Sequence, residues 1–124
     1  MKLYSTKHIS PDVDLKEAVL KGLPQDNGLY MPYEIPALPQ SFWNNLNDYT
    51  YNEMAFEIAK NLIGDSIPQE DIKNIIAQAY NFDAPLHQCG NSYFLELFQG
   101  PTLAFKDFGA RFMGRLMGYF LKDN

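Results

Sequence analysis

Residues 105–121 place the strongest constraint on what this chain can fold into. Phe105, Phe108, Phe112, Leu116, Met117, Tyr119 and Phe120 make the stretch very apolar, yet Gly109, Gly114 and Gly118 interrupt it. Each of those glycines costs about 1 kcal/mol of helix propensity relative to Ala. A helix this apolar and this weak needs neighbours on several sides, and its glycines permit close backbone approach. The 124 residues supply few such neighbours. The expectation is a helix built for a larger domain, in a chain that continues past Asn124. On these residues alone its exposed half should form an apolar patch able to cause self-association or disorder.

The remaining elements follow from local signals. Asp14-Leu15-Lys16-Glu17 reads as a capping box, with Gly22 as the helix stop. Thr50-Tyr51-Asn52-Glu53 is a second box, before an apolar stripe of Met54, Ile58 and Leu62 flanked by Ala55 and Ala59, ending at Gly64. Pro68 suits a first helical turn, Glu70 and Asp71 suit its dipole, and Ile72, Ile75, Ile76 and Ala79 give it one apolar face. The pattern predicts helices over 14–21, 51–62, 68–80 and 105–121, the last starting near Ala104 or Phe105, and a short helix over 41–46. Strand candidates lie at 3–6, 29–32, 86–89 and 92–98, and Asp26-Asn27-Gly28 marks a turn. The class is α+β, mainly helical with short strands.

Composition narrows the functions. Hydrophobic residues make up 46% and charged residues 20%, as in folded soluble domains. The net charge is −5 and no Lys/Arg run is present, which argues against nucleic acid or an anionic membrane as partner. The start of the chain lacks the apolar core of a secretion signal, and no apolar run approaches a membrane span. One cysteine, Cys89, forms no internal disulfide, so a cytoplasmic protein is expected. His87-Gln88-Cys89 offers two soft ligands where structural zinc wants four. The simpler reading is a buried Cys89 and a surface His87, with no metal.

The informative segment is Glu96-Leu97-Phe98-Gln99-Gly100-Pro101-Thr102-Leu103-Ala104-Phe105-Lys106-Asp107-Phe108-Gly109-Ala110-Arg111-Phe112. It reads as a strand, a tight loop and a lysine in the first turn of a helix. A helix start carries partial positive charge, so stability alone would place Asp or Glu there. The position suits a reactive amine: the field and burial both disfavour the ammonium, and a neutral amine can condense with an aldehyde cofactor. Loop amides and the helix start could also hold a phosphate. On spacing alone a solvated surface lysine is the commoner case. Asp107 reads as a helix-start residue paired with Arg111 at i, i+4, and Thr102 as a turn or cap residue.

The pattern Glu96-Leu97-Phe98-x-Gly100-Pro101-Thr102-x-Ala104-Phe105-Lys106-Asp107 resembles the surroundings of the cofactor lysine in threonine synthases. Leu3-Tyr4-Ser5-Thr6, Lys21-Gly22-Leu23, Asp26-Asn27-Gly28-Leu29-Tyr30-Met31-Pro32 and Ile63-Gly64-Asp65-x-Ile67-Pro68 resemble that family's N-terminal region, so the likeness spans nearly the whole chain. Gln99 departs from the His expected in many members. The resemblance implies residues 1–84 as the family's N-terminal region and 85–124 as the incomplete start of a mixed α/β, tryptophan-synthase-like (fold type II) domain. It implies a pyridoxal 5'-phosphate-dependent lyase making L-threonine and phosphate from O-phospho-L-homoserine and water. Lys106 would hold the cofactor and move protons. No glycine-rich phosphate cradle follows Lys106, so these residues alone should be inactive and bind the cofactor weakly or not at all. Two alternatives stay open: a non-catalytic helical interaction module, and another fold type II enzyme.

Overall fold

The structure, a computed structural model, describes residues 1–122. Strands β1 (Lys2–Ser5), β2 (Val13–Asp14) and β3 (Tyr30–Pro32) form an antiparallel sheet with β1 in the middle. Register places Leu3 opposite both Val13 and Pro32, and Ser5 opposite Tyr30. Helices α1 (Leu15–Lys21), α2 (Gln40–Asn44), α3 (Tyr51–Ile63) and α4 (Gln69–Ala79) follow, then the hairpin β4 (Leu86–Cys89) and β5 (Ser92–Leu95), and helix α5 (Asp107–Leu121). The α+β class expected from the sequence is what the chain adopts.

The helix ends are set by their caps. Thr50 and Glu53 close the full capping box of α3, each side chain bonding the other's backbone amide. Asp14 caps α1 by accepting from the Glu17 amide. Glu17 does not reach back: its carboxylate pairs with Lys21 at 2.6 Å, one turn on. Gly22 and Gly64 terminate α1 and α3 with φ of 74° and 58°, the left-handed region that glycine enters without Cβ strain.

The core joins the sheet to four helices, α1, α3, α4 and α5. Leu3, Val13, Leu15 and Val19 meet Ala59, Ile63, Ile67, Ile72, Ile75, Ile76, Leu116 and Phe120 in one buried cluster. All four apolar positions expected on α4 are buried. The face of α3 differs from expectation. Ala59 and Ile63 point inward, while Ile58 and Leu62 are exposed. The small alanines let α3 close on α4, and the larger side chains on the adjoining face line open grooves.

Three further differences have local causes. β2 is two residues long and carries no alternation a sequence could show. β5 ends at Leu95, although Glu96 still donates to the Pro85 carbonyl at 2.9 Å. Cys89 is exposed rather than buried, because both faces of the β4–β5 hairpin lie open. Leu86, Tyr93, Phe94 and Leu95 are all exposed there.

One carboxylate organises the N-terminal turn. Asp26 Oδ1 accepts from Ser5 Oγ (2.6 Å) and the Gly28 amide (2.9 Å), and Oδ2 accepts from the amides of Ser10 (2.8 Å) and Ile9 (3.2 Å). A Cβ on Gly28 would overlap the Ser5 hydroxyl, so this close turn excludes a side chain. The Ser5 hydroxyl is the main reason the Asp26 carboxyl is held well below the usual carboxylate range. Partial burial opposes it, and the amides of Ser10, Gly28 and Ile9 reinforce it.

Two outcomes are expected. Ile72 is fully enclosed, so Ile72→Ala should cost about 2–5 kcal/mol of stability in a urea titration. Asp26 is ionised more readily folded than unfolded. Its stabilisation is therefore fully present above the ordinary carboxylate pKa of about 3.9 and is lost as pH falls through the lower folded value. Asp26→Asn should lower the melting temperature at pH 7 and flatten its decline below about pH 4.

Candidate functional site

Gly100 to Asp107 forms the turn that delivers Lys106 to the start of α5. The Leu103 amide closes the turn on the Gly100 carbonyl at 3.0 Å. Leu103 has φ of 58°, and its side chain is exposed. A leucine in the left-handed region bars a helix from running back through 103, and the Asp107 and Phe108 amides bond the Ala104 and Phe105 carbonyls three residues back, so α5 begins at Asp107 rather than at 104 or 105. Lys106 occupies the cap position with αR dihedrals of −62° and −16°, and its carbonyl accepts from the Ala110 amide at 2.8 Å. Its side chain is exposed. The expectation of a buried amine is corrected for these residues. What distinguishes Lys106 is its place at the rim of a fixed turn.

Asp107 fixes that turn. It is 4% exposed, one of two buried polar side chains among the described residues. Its Oδ2 accepts from the Thr102 amide at 2.8 Å and its Oδ1 from the Thr102 hydroxyl at 2.7 Å. The Thr102 hydroxyl is the main cause that holds the Asp107 carboxyl below its ordinary range. Burial opposes it, and backbone bonding and the Arg111 charge assist. Gly100 lies directly against this carboxylate: a Cβ there would come within 2.5 Å of Oδ2.

The expected Asp107–Arg111 pair does not form. Asp107 turns back into the loop, and Arg111 reaches across to α4. Arg111 Nε donates to the Ala79 carbonyl (2.8 Å), and Nη2 donates to the Gln78 carbonyl and Asn81 Oδ1 (both 2.9 Å). Carbonyls at a helix end lack intrahelical partners, and a cation suits the negative end of the dipole. Gln99 donates to Glu96 at 2.8 Å, and His87 Nε2 lies 3.6 Å from the same carboxylate.

A large concavity lies elsewhere among the described residues. A groove of about 420 Å³ runs beside α5, lined by Leu15, Val19, Met31, Leu62, Phe112 and Met113 among others. Lys106 does not line it, and its walls are almost wholly apolar. The sequence had missed the burial of Asp107 and the tightness at Gly100. The available signal was the spacing of Gly100, Thr102 and Asp107 across a single turn.

The comparisons with known proteins agree with one another. A family model described as threonine synthase N terminus matches residues 2–80. The threonine synthase of Haemophilus influenzae is 41% identical over 121 residues, covering 94% of this chain and 27% of that protein. The crystal structure of threonine synthase from Escherichia coli superposes with a TM-score of 0.92 at 35% identity, covering all of this chain and 29% of that one. The pyridoxal-phosphate-bound threonine synthase of Brucella melitensis gives 0.90 at 36% identity, covering 99% and 28%. The chain thus spans somewhat more than a quarter of these relatives, 27–29% of their length.

Gly100→Ala should push the Asp107 carboxylate off Thr102. Hydrogen exchange at the Thr102 amide is expected to accelerate by about tenfold or more, the loss of one charge-assisted bond. Exchange at Ile72 and Ile76 in α4 should be unchanged.

Proposed function

Because this chain belongs to the threonine synthase family, we propose that the complete protein converts O-phospho-L-homoserine and water to L-threonine and phosphate. The observation that carries the reading is Lys106, presented from a clasped turn at the start of α5. An interaction helix has no use for such a lysine. The turn belongs to a sequence and a fold that match threonine synthases along nearly the whole chain.

The described residues fit one end of pyridoxal phosphate. Lys106 offers an exposed amine on a fixed backbone. The glycines after it, Gly109, Gly114 and Gly118, lie within α5 and form no loop to cradle a phosphate. Those parts must come from other residues of the protein. When bound, the cofactor supplies an electron sink for the substrate's carbon skeleton. Lys106 Nζ would hold it covalently and, when free, would take and return protons as general base and acid.

The division of the chain follows the same reading. Residues 1–84 form the N-terminal region and 85–124 open the catalytic domain. The family match ending at residue 80 and the open faces of the β4–β5 hairpin support a boundary there. The 124 residues alone are inactive, bind the cofactor weakly or not at all, and self-associate through the exposed Phe105, Met113, Met117 and Leu121. The protein works in the cytoplasm, on a small-molecule substrate.

The complete protein, loaded with pyridoxal phosphate and reduced with borohydride, should carry a phosphopyridoxyl group on Lys106 by peptide mass spectrometry. Lys106→Ala should lose the adduct and several orders of magnitude of phosphate release from O-phosphohomoserine. An adduct confined to other lysines would overturn the assignment. Phosphate release by the 124 residues alone would overturn the domain division.

A further inference from the structure

We propose that Asp107 is the positioning residue for the Lys106 amine, acting through Thr102 and the backbone of the turn. The inference rests on Lys106 being the cofactor lysine.

Three observations meet at this side chain. Asp107 follows Lys106 directly, yet its carboxylate turns away from solvent, each oxygen accepting a bond from Thr102, with the Ala104 backbone adding to the grip. The turn it grips holds Leu103 at a positive φ, a conformation that a branched residue keeps only when its surroundings enforce it. Gly100 leaves no room for a Cβ against the same carboxylate, so the grip is close-packed as well as hydrogen-bonded. Helix α5 has no side-chain cap of its own at Lys106. The one carboxylate therefore does two tasks: it locks the turn before the lysine and pins the first turn of the helix after it. Lys106 lies between the two anchored points, and the direction of its Cα–Cβ bond follows from them. A covalent anchor must meet a carbonyl carbon along a narrow approach, so a small spread in that direction slows capture.

Lysine capture and folding give separate readouts. The complete apo-protein is mixed with pyridoxal phosphate, trapped with borohydride at timed intervals, and mapped lysine by lysine, with Lys7, Lys16 and Lys73 as internal standards. Asp107→Ala is expected to slow capture at Lys106 by about tenfold or more relative to those standards, a loss of proximity. Asp107→Asn keeps one acceptor and should recover part of the rate. Thr102→Val removes only the hydroxyl donor of an exposed residue and should give an intermediate loss, which keeps the test decisive if Asp107→Ala fails to fold. General loosening would raise capture at every lysine and would not slow Lys106 selectively. Native capture at Lys106 in Asp107→Ala, or in Thr102→Val where the former does not fold, overturns the role of Asp107. Wild-type protein that captures only at other lysines overturns the Lys106 assignment itself, and this inference with it.

Discussion

The docking of α5 against α4 and α1 is the contact on which the rest depends. α5 contains three glycines and could not hold a helix on propensity alone. Leu116 and Phe120 are buried in the common cluster with Ile72, Ile75 and Ile76. Arg111 adds a polar seam by bonding carbonyls at the end of α4. The apolar contact sets which face of α5 turns inward, and the arginine sets how far along α4 it sits. With both fixed, the start of α5, and Lys106 with it, has one position relative to the N-terminal core. The N-terminal region is in this sense a footing for the start of α5.

The same device appears at both ends of that footing. At the N-terminal turn, Asp26 accepts from a serine hydroxyl and three amides, beside a glycine with no space for a side chain. At the lysine turn, Asp107 accepts from a threonine hydroxyl and amide, again beside a glycine with no space. An ionised carboxylate is the efficient choice for such a turn. It offers several lone-pair sites in one small group, and charge-assisted bonds are about twice as strong as neutral ones. The cost is dependence on ionisation, small at neutral pH because the bonds that need the charge also favour it.

How much of this was legible in the sequence depended on whether the signal was local. Thr50 and Glu53, Gly22, Gly64 and the isoleucines of α4 act within one or two turns, and each was readable. Lys106 stood out for a related reason, since a lysine at a helix start runs against the dipole. What stayed hidden was set by distant partners. Arg111 was read as a partner for Asp107 because i, i+4 spacing allows it, but the carbonyls of Gln78 and Ala79 lie more than thirty residues away and compete better. The inward face of α3 is decided by its fit against α4 rather than by its own stripe. Cys89 looked like a core residue because free cysteines usually are, while its strand is exposed on both faces.

The distribution of apolar surface also orders the parts by stability. Local opening costs least where few apolar contacts are lost. The β1–β3 sheet and helices α1, α3, α4 and α5 share one core, so opening any of them uncovers isoleucine, leucine or phenylalanine. The hairpin shares none of that core: its strands contact chiefly each other, with both faces open. An isolated two-stranded hairpin is marginal in water at best. The hairpin from 86 to 95 should therefore open far more readily than the helices on either side. The lysine turn begins shortly after that hairpin, at Gly100. The tie between Asp107 and Thr102 stands at the boundary, anchoring the turn to the stable side and separating Lys106 from the motion of the chain before it.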